Sequence, residues 1–204
     1  KTGSETGEAR DGFYADGSFI QHSDIPYTGT YGVVLIGGIG ELLYLTGAGE
    51  SPTAIPHIDG LYAHLFTAFE PLLYKGCIPD FVSGRSVSRK NSWDGANGQA
   101  ALNALVLLGK GAEAPYAQRI QALVKRELQN SLLLAAGTYS ATQDSLFYRA
   151  ALAHAAEDSL AALPYTPQLY CFHAMERYFF RSQKYAIGLA CHSNKIGNYE
   201  TMNS

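Results

Sequence analysis

The sequence predicts an α+β protein of more than one domain, with a run of helices followed by a run of strands. Two patterns carry that expectation. Apolar residues recur at helical spacing, with Gly or Pro at the joints, through residues 28–162. Beyond Leu163-Pro-Tyr-Thr-Pro-Gln the chain becomes short-patterned, aromatic and partly alternating. The composition is 47% hydrophobic and 16% charged, which supplies a core and excludes bulk disorder. The boundary therefore falls near residues 163–168, dividing 1–163 from 164–204.

Element by element, residues 1–27 read as irregular, with glycines punctuating a short aromatic stretch. Thr28 is placed to cap a helix whose apolar residues from Tyr31 to Leu45 run almost all round, so that helix is expected to be buried. A second helix follows over 58–73, with Leu61, Leu65, Phe69 and Leu72 on one face. Residues 76–91 read as a loop, and helical patterns return at 94–109, 113–135 and 142–162. Strands are expected from Leu169 to Phe180 and from Lys184 to Cys191, joined by Arg181-Ser-Gln-Lys, with a further strand-like run at Asn198-Tyr-Glu-Thr-Met. The β portion is too short to stand as a sheet domain alone, so the chain reads as a segment of a larger protein.

Composition narrows the function. A formal net charge of −3 and a pI near 6.1, with no basic tail, argue against nucleic acid as a partner. No apolar run is expected to span a membrane, because the best, at 32–46, holds Gly37, Gly38, Gly40 and Glu41. No charged-then-apolar signal segment opens the chain, so a secretion signal is expected to be either absent or already removed. Cys77, Cys171 and Cys191 are too few for a disulfide framework. The 14 Tyr against one Trp suit recognition of polar, ring-shaped ligands, since Tyr pairs a flat apolar face with a hydrogen-bonding tip.

Three stretches concentrate chemistry. In Asp16-Gly-Ser-Phe-Ile-Gln-His-Ser-Asp-Ile-Pro-Tyr-Thr-Gly-Thr-Tyr-Gly, His22 lies in a loop and Tyr31 falls in the first turn of a helix, whose N-terminus favours a phenolate. Both also read as an ordinary core aromatic and a loop histidine. In Ser83-Gly-Arg-Ser-Val-Ser-Arg-Lys-Asn-Ser-Trp, Arg85 and Arg89 sit four apart on a Gly/Ser scaffold, suited to bidentate recognition of carboxylate or sulfate. In His192-Ser-Asn-Lys-Ile-Gly-Asn-Tyr-Glu-Thr-Met-Asn, Glu200 and Asn203 are candidate polar contacts. The six His show no HxxxH or HxH spacing, so no metal is expected. Asp11 and Asp16 read as turn formers rather than a carboxylate pair.

Together, Asp-Gly-Ser-Phe-Ile-Gln-His (16–22), Pro-Tyr-Thr-Gly-Thr-Tyr-Gly (26–32), Gly-Arg-Ser-Val-Ser-Arg (84–89) and Asn-Tyr-Glu-Thr-Met-Asn (198–203) resemble polysaccharide lyase family 8, the hyaluronate, chondroitin AC and xanthan lyases. The resemblance implies the C-terminal part of an incomplete (α/α) toroid, followed by the first strands of an antiparallel β-sandwich domain. It implies catalytic roles for His22, Tyr31, Arg85 and Glu200, and substrate binding by Arg89, Asn91 and Asn203. The family's catalytic asparagine and aromatic patch belong to helices before this region, so the chain would hold most of a site.

The activity it implies is β-elimination of an acidic, uronic-acid-containing polysaccharide, of hyaluronan or chondroitin type ahead of xanthan. Tyr31 would serve as base and then acid, although the residues alone leave His22 or Tyr31 open as the base. The resemblance further implies no metal or cofactor, a secreted, extracellular enzyme, and a monomer at full length. The alternative from another class is a non-catalytic glycan-binding protein that keeps the fold. The intact His22–Tyr31–Arg85 set separates the two, since a binder is free to lose Tyr31.

Overall fold

The computed structural model describes residues 11–47, 55–131 and 159–200. The described helices lie between Thr28 and Gln129, and two small antiparallel sheets lie on either side of them in sequence. The first sheet contains β1 (Gly12–Phe13), β2 (Phe19–Gln21) and β3 (Ile25–Pro26), paired in sequence order. Residues 11–26 are therefore a three-stranded meander, not the irregular segment expected. Strands of two or three residues are too short to show alternation, which is why the pattern hid them.

A π-helical turn, Thr28–Gly32, leads into α1 (Val33–Gly47). Thr28 does not cap it. Tyr27 occupies the cap position, and the buried Thr28 hydroxyl donates instead to Met175 Sδ at 3.9 Å. Nor is α1 buried all round: Ile36 and Gly40 face inward, while Val34 (70% exposed) and Leu45 (73%) face outward. From Thr28 to Thr46 the helix is continuous for 19 residues and apolar enough, by length and composition, to cross a membrane. That corrects the expectation that no run reaches a span. The inner face of the helix packs closely on α3 (Asp94–Gly111), where a Cβ on Gly40 would stand 3.0 Å from Leu107 Cβ and 3.2 Å from the Ala104 carbonyl oxygen.

The helix expected over 58–73 is shorter, comprising α2 (Ile58–His64) and a π-helical turn, Leu65–Phe69. The loop over 76–91 contains two 3-10 turns, Asp80–Val82 and Gly84–Ser88. α4 (Ala114–Gln129) buries Ile120, Leu123, Val124 and Leu128, a stripe at helical spacing. It stops before the expected 135, because Asn130 leaves helical geometry and its side-chain amide donates to the Arg126 carbonyl at 2.8 Å. The pattern at 142–162 lies almost wholly outside the described residues.

The second sheet comprises β4 (Gln168–Phe172), β5 (Arg177–Arg181) and β6 (Ala186–Ala190), again in sequence order. What read as one strand from Leu169 to Phe180 is a hairpin, turned at 173–176 where Glu176 takes a left-handed conformation (φ 50°). Residues 198–200 form no strand. Phe172, Met175 and Phe179 join the same core as Leu65, Phe69, Leu72, Leu102 and Leu105, so the second sheet packs directly on the helices.

A buried ionic knot reinforces that junction. Arg181 of β5 donates through Nη1 to the carbonyls of Glu70, Pro71 (3.3 Å) and Leu73 (2.9 Å), and through Nη2 to the Tyr170 hydroxyl at 3.0 Å. Arg126 of α4 pairs with Glu127 at 2.7 Å and with Glu70 at 3.4 Å. Burial without such partners would cost each guanidinium several kcal/mol (about that order), so the knot tolerates little rearrangement. Arg177 acts as a second strut, with Nε on the Phe81 carbonyl at 2.8 Å and Nη1 on that of Cys191 at 3.0 Å. It ties β5 to the segment before the Gly84–Ser88 turn and to the one after β6, and each leads to a candidate site residue.

Candidate active site

His22 stands at the tip between β2 and β3. It and Ser23 both have positive φ (54° and 77°), a conformation uncommon for side-chain-bearing residues and one that must be held by its surroundings. Asp11 supplies the restraint, because its carboxylate accepts the Ser23 amide at 2.7 Å and the Gln21 side-chain amide at 3.0 Å. Asp16 has a comparable task, accepting the amides of Ser18 (2.9 Å) and Ala174 (2.8 Å). The two aspartates thus organise loops, as turn formers should.

Tyr31 projects from the π-helical turn before α1. That turn is closed by an i→i+5 hydrogen bond from the Gly32 amide to the Tyr27 carbonyl at 3.0 Å. Arg85 comes from the Gly84–Ser88 turn, which Thr30 and Asn97 anchor through Ser83. Glu200 arrives from the segment after β6.

These four residues converge. Glu200 Oε1 accepts from Arg85 Nη1 at 2.6 Å and from His22 Nδ1 at 2.7 Å. Arg85 Nη2 donates to the Tyr31 hydroxyl at 2.8 Å, so one guanidinium bridges the carboxylate and the phenol. The His22 and Tyr31 rings lie 5.0 Å apart. Burial alone disfavours a charged Glu200. The hydrogen bonds from Tyr27 and His22, and then the charges of His22 and Arg85, outweigh it and hold the carboxyl below its usual range. As an acceptor only, Glu200 fixes the proton on His22 Nδ1 and leaves Nε2 for a ligand.

Sequence reasoning missed a fifth member, Tyr27. It is fully buried, its hydroxyl donates to Glu200 Oε2, and it accepts the Arg85 backbone amide at 3.3 Å. Burial first, and then the hydrogen bond to Glu200, push its hydroxyl up to about 12. The available signal was the doubling Tyr-Thr-Gly-Thr-Tyr, in which a turn brings both rings to one place, 4.7 Å apart.

Two concavities adjoin the cluster. One, of about 290 Å3, is walled by Arg85, Glu200, Tyr199, Phe81 and Val87. The other, of about 400 Å3, is walled by Arg89, Asn91, Asn97, Thr30 and Val34. Arg89 and Asn91 are exposed and stand apart from the His22–Glu200 contact network, and Asn203 lies outside the described residues. Among the described residues, no group of three or more His, Cys, Asp or Glu is arranged to hold a metal ion.

Residues 4–126 match the family model for the N-terminal α-helical domain of polysaccharide lyase family 8. The chain is 34% identical over 195 residues to the xanthan lyase of Bacillus sp. (strain GL1), covering 95% of this chain and 20% of that protein. It is 28% identical over 202 residues to the hyaluronate lyase of Staphylococcus aureus (strain NCTC 8325 / PS 47), covering 98% of this chain and 25% of that protein. Among solved structures, Paenibacillus xanthan lyase superposes with a TM-score of 0.85 at 26% identity, covering 97% of this chain and 19% of that one. The Streptomyces coelicolor A3 chondroitin AC lyase in complex with chondroitin sulphate also gives 0.85, at 29% identity, covering 97% and 27%. The chain thus spans a fifth to a quarter of the length of these curated relatives (20% and 25%).

Proposed function

The chain belongs to polysaccharide lyase family 8, and from that premise we propose that it carries most of the catalytic centre of a lyase cleaving a uronic-acid-containing polysaccharide by β-elimination. Its helices would close the last part of an incomplete α/α toroid, and its second sheet would begin a β-sandwich, with the division near residue 163. The single observation that carries the reading is the Arg85 bridge, one nitrogen on Glu200 and the other on the Tyr31 oxygen.

The reaction breaks the C5–H bond of a uronic acid and the bond from C4 to the glycosidic oxygen, leaving a C4–C5 double bond. The C5 proton is acidic only while the neighbouring carboxylate's charge is neutralised as an enolate-like dianion develops. His22 Nε2 suits that task, since Nδ1 is committed to Glu200. Tyr31 takes the proton from C5 and returns it to the departing oxygen, so no proton is gained or lost overall. Arg85 keeps a cationic donor on the phenol oxygen through both transfers, and Glu200 holds Arg85 in register. Arg89 and Asn91, on the second concavity, suit binding of anionic sugar units at a distance from the bond that breaks. A hyaluronan- or chondroitin-type polymer is the substrate to try first. A polymer of that size stays outside cells, which suits a secreted enzyme.

The test is ultraviolet detection of unsaturated uronic-acid product from hyaluronan, chondroitin sulfate and xanthan, using the full-length enzyme that carries these residues. Absorbance that grows on one polymer and is lost in Tyr31→Phe is the expected result. Polymer binding without absorbance on any of the three would favour the glycan-binding reading instead.

A further inference from the structure

We propose that Tyr27 is the positioning residue of this centre, its hydroxyl fixing Glu200 so that the carboxylate's other oxygen is shared between His22 and Arg85. The inference rests on the lyase reading of the site and adds a residue to it. Tyr27 and Tyr31 are both phenols of one turn, yet their surroundings divide them. The oxygen of Tyr31 meets a cationic donor, Arg85 Nη2. The Tyr27 oxygen lies between the carboxylate it donates to and the backbone amide of Arg85 it accepts from. A hydroxyl so placed contributes by staying protonated, and its upward shift to about 12 keeps it a donor across the working range.

The ring of Tyr27 is as constrained as its hydroxyl. It meets His22 edge-on at 5.5 Å and 72°, and Tyr31 at 4.7 Å and 79°. On another side lies the backbone of Gly84, whose left-handed φ of 53° brings it where a Cβ would stand 2.0 Å from Tyr27 Cε1. Tyr27 therefore touches every member of the cluster (His22, Tyr31, Arg85 and Glu200) while being fully buried. The groups facing Glu200 are Tyr27 from the turn, His22 from the hairpin tip and Arg85 from the 3-10 turn. Without the Tyr27 donor, Oε2 has lost its partner and the carboxylate is free to rotate, which loosens both contacts at Oε1.

The experiment compares Tyr27→Phe, Glu200→Gln and the double variant in the full-length enzyme, with Tyr31→Phe beside them. Tyr27→Phe keeps the ring and its packing. It is expected to lower kcat about ten- to a hundredfold, the worth of a hydrogen bond to a charged group, with KM moved by less than about twofold. Its acid limb of kcat/KM should move to higher pH, because Glu200 loses a hydrogen bond that favours its charged form. In the Glu200→Gln background, Tyr27→Phe should cost nothing further, since it acts through that carboxylate. A wild-type rate with an unmoved acid limb in Tyr27→Phe, or losses that simply multiply in the double variant, would overturn the assignment. If Tyr31→Phe abolishes turnover while Tyr27→Phe keeps the wild-type rate and an unmoved acid limb, this inference falls alone. If the wild type eliminates none of the three polymers, the lyase reading falls and takes this inference with it.

Discussion

Replacing Gly84 with alanine adds one methyl group at the point where the Arg85 turn lies on the Tyr27 ring. The new Cβ would stand 2.0 Å from Tyr27 Cε1, 2.2 Å from Cζ and 2.6 Å from Cδ1. Carbon atoms rest at about 3.5 Å or more, so turn or ring must yield by roughly 1.5 Å. The ring has no room to do so, being fully buried and hydrogen-bonded at its tip in two directions. Holding a non-glycine residue left-handed costs about 1–2 kcal/mol, and forcing a methyl into a packed site about 1–3 more. Gly84→Ala should therefore destabilise by about 2–5 kcal/mol.

Gly38 on α1 is the control. A Cβ there meets nothing within 4 Å, and Gly38→Ala should stabilise by about 0.5–1 kcal/mol through helix propensity. Urea unfolding followed through Trp93, the single tryptophan, reads both. The reasoning is refuted if Gly84→Ala lies within about 0.5 kcal/mol of wild type, the ordinary range for a surface change.

Further outcomes are expected at other positions. Arg181→Leu strips donors from the carbonyls of Glu70, Pro71 and Leu73 and should cost about 3–5 kcal/mol in the same unfolding assay; a loss below about 1 kcal/mol would argue against the knot as a junction. Arg89→Ala should raise the apparent Kd for the polymer, measured by titration calorimetry; an unchanged Kd would make Arg89 structural. Cys77, pushed up to about 11 by burial and then by the charges of Asp94 and Glu127, should react with a thiol reagent at pH 8 far more slowly than a free thiol, as followed by mass spectrometry. The Tyr27 hydroxyl ionises near 10 in the unfolded chain and at about 12 in the folded one, so the unfolded state sheds its proton first. Its contribution to stability is full below about pH 10 and is lost as pH rises towards about 12; Tyr27→Phe should flatten that part of the stability profile.

The helices were legible where period and punctuation agreed. α3 begins at Asp94, as the pattern predicts, and α4 begins at Ala114, with a proline in its first turn. Periodicity failed where a short element is defined by its neighbours. The meander at 12–26 is held by Asp11, Asp16 and the 173–176 turn, and two-residue strands carry no alternation of their own. The β4–β5 break is marked only by Glu176 turning left-handed, which no residue type announced. Of the site, His22, Tyr31, Arg85 and Glu200 were named through family-like phrases, because nothing in their spacing brings residues 22, 85 and 200 together. Tyr27 was passed over because a buried tyrosine and a site tyrosine look alike until their partners are known.

The His22–Glu200 contact joins residues 178 apart in sequence, whereas Tyr31 and Arg85 are 54 apart. Closing the longer loop costs about 1 kcal/mol more chain entropy, since the penalty grows as the logarithm of length. Local contacts form early and distant ones late, so the hairpin tip and the arginine turn should be in place before the glutamate reaches them. The last contact to form is also the one that the proposed chemistry needs. Recovery of turnover during refolding would then lag behind recovery of helical signal, and enzyme activity would time the final docking step of the chain.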